Sequence, residues 1–144
     1  MKAGVINRLV LDASVALAWC FPDESSPAIE KLLDALANGA EAVTPAIWPF
    51  EVANALLTAE RKKRISLAQV TAVLRNIALL PIAVDSARVD RAFADVLAVA
   101  RREHLAEYDA AYLELALREA LPLATLDGQL RRAARNVGIT LVAI

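Results

Sequence analysis

Arg8-Leu9-Val10-Leu11-Asp12-Ala13-Ser14-Val15-Ala16-Leu17 is the stretch on which the reading of this chain turns. Leu9-Val10-Leu11 is a short apolar run that reads as a buried strand, and it stops at an acid. Ala13 to Phe21 then continues as a short helix or turn. The same succession returns near the other end, where Leu121 to Thr125 reads as a strand that stops at Asp127, and Asp127-Gly128 starts a helix to Arg135. A strand, an acid and a helix, met twice, suggest a sheet whose strand ends share one edge.

The segments between these two stretches carry the alternation through the chain. Ser26-Pro27 supplies a cap and a first-turn proline for a helix to about Ala37, which Asn38-Gly39 ends. Ala42-Val43-Thr44 is a short second strand. Pro49 is tolerated only in a first turn, so the main helix starts near Trp48 and runs to about Lys63. Ser66-Leu67-Ala68-Gln69 has the form of a capping box and opens another helix. Pro81 to Val84 is a third strand, with Asp85-Ser86 as a cap. Helices follow over Val89 to Glu103 and Glu107 to Glu119, and Gly138 precedes a fifth strand, Ile139 to Val142. Strand and helix alternating in this way predict an α/β fold, a three-layer α/β/α arrangement around a five-stranded, mainly parallel sheet. The strands read as continuous apolar runs buried on both faces.

Composition sets the bounds. The chain has 144 residues, enough for one domain over residues 1–144. It is 58% hydrophobic and 23% charged, which excludes a disordered or fibrous chain. Sixteen basic residues against seventeen acidic ones give a net charge of -1, so nucleic acid would have to be met by a local basic patch. One cysteine, Cys20, leaves no internal disulfide and no cysteine-based metal cluster, which fits a cytoplasmic protein. Mean hydropathy is +0.44, yet uncharged runs such as Ala13 to Pro22 reach only about half the ~20 residues of a spanning helix, so no membrane is expected. Lys2 and Arg8 before an apolar stretch that reaches Cys20 loosely imitate a lipoprotein signal. Asp12 inside that stretch and Trp19 before the cysteine argue against one.

The informative residues are acids in inconvenient places. Asp12 and Asp127 each lie just past the C-terminal end of an expected strand, where open parallel sheets keep their ligand crevice. Glu51, in Trp48-Pro49-Phe50-Glu51-Val52-Ala53-Asn54, and Asp109, in Tyr108-Asp109-Ala110-Ala111-Tyr112, sit in first turns of helices with largely apolar neighbours three and four residues away. Each has an ordinary explanation, since acids cap helices and complement their dipoles. Together they make a different case. Two carboxylates about 4 Å apart repel by on the order of 4 kcal/mol at an effective dielectric near 20. A converged cluster of four needs a cation, and oxygen donors without clustered His or Cys point to Mg²⁺ or Mn²⁺. Asp85 reads as a plain cap, Glu60, Glu103 and Glu114 as solvated helix faces, and His104 as a helix-end or surface residue. Of the basic runs, Arg131 and Arg132 follow Asp127 closely and are the candidates for phosphate contact; Arg61-Lys62-Lys63-Arg64 and Arg101-Arg102 read as solvated helix ends.

At these residues the sequence resembles the PIN-domain nucleases, and among them the VapC-type toxins of bacterial toxin–antitoxin pairs. The matching stretches are Val10-Leu11-Asp12-Ala13-Ser14-Val15, Pro49 to Leu56, Tyr108 to Ala116 and Leu123-Ala124-Thr125-Leu126-Asp127, in the family's order. The resemblance implies a metal-dependent endoribonuclease with Asp12, Glu51, Asp109 and Asp127 as the acidic metal-site residues. It implies Ser14 and Thr125 as polar groups beside Asp12 and Asp127. It also implies an antitoxin helix in an apolar groove, and the aromatics Trp19, Phe21, Trp48 and Phe50 cluster in sequence around the first two acids. Helical faces rich in Ala and Leu add a homodimer to the expected partners.

Two further readings stay open. A phospho-aspartate phosphatase would use Asp12 as nucleophile, but that chemistry wants a second Asp two residues on, where Ser14 stands. A catalytically silent scaffold binding RNA or protein would keep the acids at a pure cost.

Overall fold

The computed structural model describes residues 6–144, so Lys2 lies outside the described residues. Four strands form one parallel sheet in the order β3-β2-β1-β4: β1 Arg8–Leu11, β2 Glu41–Thr44, β3 Ile82–Val84 and β4 Leu123–Ala124. Leu9, Val10 and Leu11 have no solvent exposure, as expected for a strand paired on both sides. Val10 stands opposite Val43 in β2 and Leu123 in β4.

The helices follow from the crossovers. From β1 to β3 the chain steps one way along the sheet, through α1 Ala13–Cys20, α2 Pro27–Ala37, α3 Trp48–Arg61 and α4 Leu67–Ala78. It then returns past β1 to β4 through α5 Val89–Arg91, a π-helical turn Ala92–Val96, α6 Leu97–Glu103 and α7 Glu107–Glu119, and ends in α8 Gly128–Asn136. Right-handed crossovers place the outgoing and returning helices on opposite faces, the three-layer arrangement expected. Accordingly α1 packs on α2 and α3, while α7 packs on α6, α8 and β1. The reversal of direction falls between β1 and β4, the place where open parallel sheets keep their ligand crevice.

Local chemistry sets the helix ends. Ser26 accepts from the Ile29 amide at 3.3 Å, with Pro27 in the first turn. Ser66 and Gln69 close the capping box reciprocally at 3.1 and 2.9 Å. Lys63 takes the left-handed conformation (φ 59°), which stops α3 two residues before the expected end. α4 buries none of its residues fully, so its first turn rests heavily on that box. Ser66→Ala is expected to lower stability by about 1 kcal/mol. In urea denaturation the midpoint should fall with the slope unchanged.

Four expectations are corrected. The sheet has four strands, not five: Ile139 to Val142 contributes a single parallel bridge, Leu123 with Leu141, through Leu123 N to Thr140 O and Val142 N to Leu123 O, both 2.9 Å. β4 is only two residues long, because Thr125 already turns toward α8, and so it offers almost nothing to pair with. The helix over Val89 to Glu103 contains the wide π turn, which no Gly or Pro announces. β3 is an edge strand rather than a doubly buried one, with Val84 47% exposed. Asp85-Ser86 caps nothing, since the next helix starts at Val89 behind Arg88. Among the described residues no helix is long and apolar enough to cross a membrane.

Candidate metal centre

Asp12 is the residue that follows β1, and it is buried. It occupies the N-cap position of α1 but makes no side-chain cap bond. Its Oδ2 instead accepts two hydroxyls, from Ser14 at 2.6 Å and Thr125 at 2.7 Å. Ser14 also accepts from the Leu126 amide at 3.0 Å, and Thr125 from the Asp127 amide at 3.0 Å. These bonds clip the exits of β1 and β4 together. Both donors fall on one carboxylate oxygen, so Asp12 Oδ1 is left without a side-chain donor.

The other three acids come from elements that converge on this edge. Glu51, in the first turn of α3, receives the Tyr112 hydroxyl on Oε1 at 2.7 Å. Asp127 caps α8, its Oδ1 accepting from the Leu130 amide at 2.9 Å. The ordinary explanation therefore holds for Asp127 in part, with Oδ2 left over. Asp109, in the first turn of α7, accepts no side-chain hydrogen bond among the described residues.

Like-charge repulsion links the four acids in pairs. Burial pushes the Asp12 acid above its ordinary value, against the pull of Ser14 and Thr125, and Asp127 pushes the same way. Glu51 is raised by burial and by Asp12 and Asp109, the Tyr112 bond opposing. Asp109 is raised by burial, then by Asp127 and Asp12. Each of these acids feels its neighbours as like charges, which requires proximity. The Tyr112 phenol is driven well above its ordinary range by burial and by its bond to Glu51, which makes it the donor in that pair.

The PIN domain family model matches residues 9–136. The chain belongs to the PIN domain family. No curated protein sequence matches it. Solved structures with a similar fold include the following three. PAE2754 from Pyrobaculum aerophilum aligns at 22% identity and a TM-score of 0.69, covering 96% of this chain and 85% of that one. VapBC2 from Rickettsia felis, bound to a DNA fragment from their promoter, aligns at 15% identity and 0.64, covering 93% and 96%. FitAcB from Neisseria gonorrhoeae aligns at 16% identity and 0.63, covering 94% and 96%.

In this PIN domain the two arginines after Asp127 part company. Arg131 is half-buried and donates to the Thr125 carbonyl at 2.9 Å, beside the acids. Arg132 is exposed and lines a separate shallow cavity with Arg102, Glu103 and His104. Of the four aromatics, expected to be mostly core with only part of the cluster at a partner groove, Phe21 and Trp48 are buried and Trp19 donates to the Ile29 carbonyl at 3.0 Å. Only Phe50 is exposed, at 73%. It lines a mostly apolar cavity of about 480 Å³ with Val89, Phe93 and Tyr108, residues from the π-turn region and α7 that sequence reading passed over.

Two acids read as solvated are not. Glu114 is buried and held by Arg118, Nε to Oε1 at 2.9 Å. Glu103 keeps little exposure and pairs with Arg102 at 3.2 Å. Arg118 also donates to Asp85 at 2.7 Å, with Arg91 3.6 Å away, so Asp85 belongs to a charge network in the lining of the apolar cavity. His104 stands at the end of α6 in the left-handed conformation, as a helix-end residue.

Proposed function

We propose that this PIN domain is a Mg²⁺- or Mn²⁺-dependent endoribonuclease that hydrolyses RNA phosphodiester bonds, the toxin of a toxin–antitoxin pair. The observation that carries the reading is the convergence of acids that raise one another at the β1–β4 crevice. Among the described residues no three His, Cys, Asp or Glu side chains are grouped closely enough to hold a metal ion by themselves. The reading therefore requires an ion that keeps several waters and takes only one or two carboxylates directly, as Mg²⁺ does. The donor set is oxygen only, and Asp12, Glu51 and Asp127 each have one oxygen occupied by a protein donor and one over.

The ion would be held by Asp12, Asp109, Asp127 and Glu51, and when bound it supplies charge neutralisation at the phosphate and a more acidic water. Ser14 and Thr125 orient Asp12. Arg131, anchored at the Thr125 carbonyl, keeps guanidinium donors for an RNA phosphate. Arg132 would meet the strand further along. The exposed Phe50, Val89, Phe93 and Tyr108 offer an apolar face for the cognate antitoxin, and a homodimer would cover part of the remaining apolar surface.

A metal-free RNA- or protein-binding scaffold is the second reading, favoured by the open arrangement of the acids. Incubation with total RNA separates the two. Cleavage at mappable ends with Mn²⁺ or Mg²⁺, abolished by chelator, is expected. RNA left intact by pure protein with either ion, together with an unchanged melting temperature, would establish the scaffold.

A further inference from the structure

Glu51 differs from the other acids in what holds it. Asp12 follows a strand directly, and Asp127 is fixed by its cap bond. Glu51 has a longer side chain, lies half-exposed on α3, and is repelled by Asp12 and Asp109. Nothing in α3 itself keeps its carboxylate at the crevice, and free rotation would carry it into solvent. The one side chain that bonds it among the described residues is Tyr112, from α7, sixty-one residues away. Tyr112 has no solvent exposure, so its ring is gripped on all sides and its hydroxyl has a fixed position. It lies one helical turn after Asp109, so α7 carries one acid and the anchor of another on one face.

We propose that Tyr112 is a positioning residue for the metal centre: its hydroxyl takes Glu51 Oε1 and thereby presents Oε2 to the ion alongside Asp109. This rests on the nuclease reading above and deepens it. The bond preorganises Glu51 before any cation arrives, so its loss should appear as weaker metal binding rather than as a weaker fold.

The test is Mn²⁺ titration followed by electron paramagnetic resonance. Tyr112→Phe keeps the ring and removes only the hydroxyl. It is expected to weaken Mn²⁺ binding by about tenfold, at the lower end of what such supporting partners are worth. In a Glu51→Gln background the same change should have no further effect on affinity. Unchanged Mn²⁺ affinity in Tyr112→Phe overturns the proposal and leaves the nuclease reading standing. Wild-type protein that binds no Mn²⁺ overturns both. A spectroscopic measurement covers the case of a variant that fails to fold. Tyr108→Phe leaves Tyr112 as the sole tyrosine, and Mn²⁺ should then perturb its ultraviolet difference spectrum. A flat spectrum on saturation counts against the coupling.

Discussion

Asp12→Asn is expected to remove RNA cleavage, by on the order of a thousandfold or more, beyond the ten- to hundredfold that an outer partner of a metal ligand is worth. Asparagine keeps a carbonyl oxygen for the Ser14 and Thr125 hydroxyls, so the two clips survive. What disappears is the charge, and with it the oxygen left over for a cation. The same change should strengthen the metal-free fold. Burial raises the Asp12 acid from its ordinary 3.8. An acid raised by folding has no effect on stability well below its unfolded value, weakens the fold as pH climbs from there to the folded value, and keeps the full penalty above it. Asparagine escapes that penalty. Metal-free Asp12→Asn should therefore melt higher than the parent at neutral pH and equal to it near pH 3. A gain of about 1 kcal/mol would move the midpoint by roughly 3–5 °C. A variant that still cut RNA at the parental rate would falsify the assignment of the centre. A lower metal-free melting point at neutral pH would refute the account of strain among the acids.

Arg118→Met is expected to cost the largest share of stability of any single change outside the apolar core. Arg118 bonds Glu114 at 2.9 Å and Asp85 at 2.7 Å, and reaches Glu119 at 3.4 Å. Methionine keeps much of the aliphatic stem and removes the cation. Glu114 is then buried without a counter-charge, and Asp85 keeps only Arg91 at 3.6 Å. Breaking a buried pair from one side costs 3–5 kcal/mol. Arg118 and Asp85 retain about a quarter of their exposure, which brings the expectation down to about 2–3 kcal/mol. Urea denaturation measures it, and Glu114→Gln in the same chain should restore part of the loss. A cost within a few tenths of a kcal/mol would mean that the network behaves as a surface ion pair.

The α/β alternation was legible because it is written in short-range signals: apolar runs, Ser26-Pro27, the Ser66 box, the glycines after helices. Asp12 and Asp127 were legible as neighbours because parallel strands put all their C-terminal ends on one edge. Three kinds of feature were not. The fifth strand failed because pairing depends on the partner's length, and β4 ends after two residues. The burial of Glu114 could not be read from α7 alone, since its cation lies one turn on and the shared acid, Asp85, comes from beyond β3. Which of the aromatics near Trp48 faces solvent was out of reach as well, since they lie close together in sequence. Helical geometry sends Trp48 inward and Phe50, two residues on, outward.

The hydroxyl clips have a consequence for the spacing of the β1 and β4 exits. Ser14 and Thr125 are neutral, and they span from Asp12 to the Leu126 and Asp127 amides without any ion. The gap between the two strand exits is thus gauged by uncharged spacers, like the jaws of a set caliper. On the nuclease reading, a cation would then leave and return without slackening these walls and without refolding.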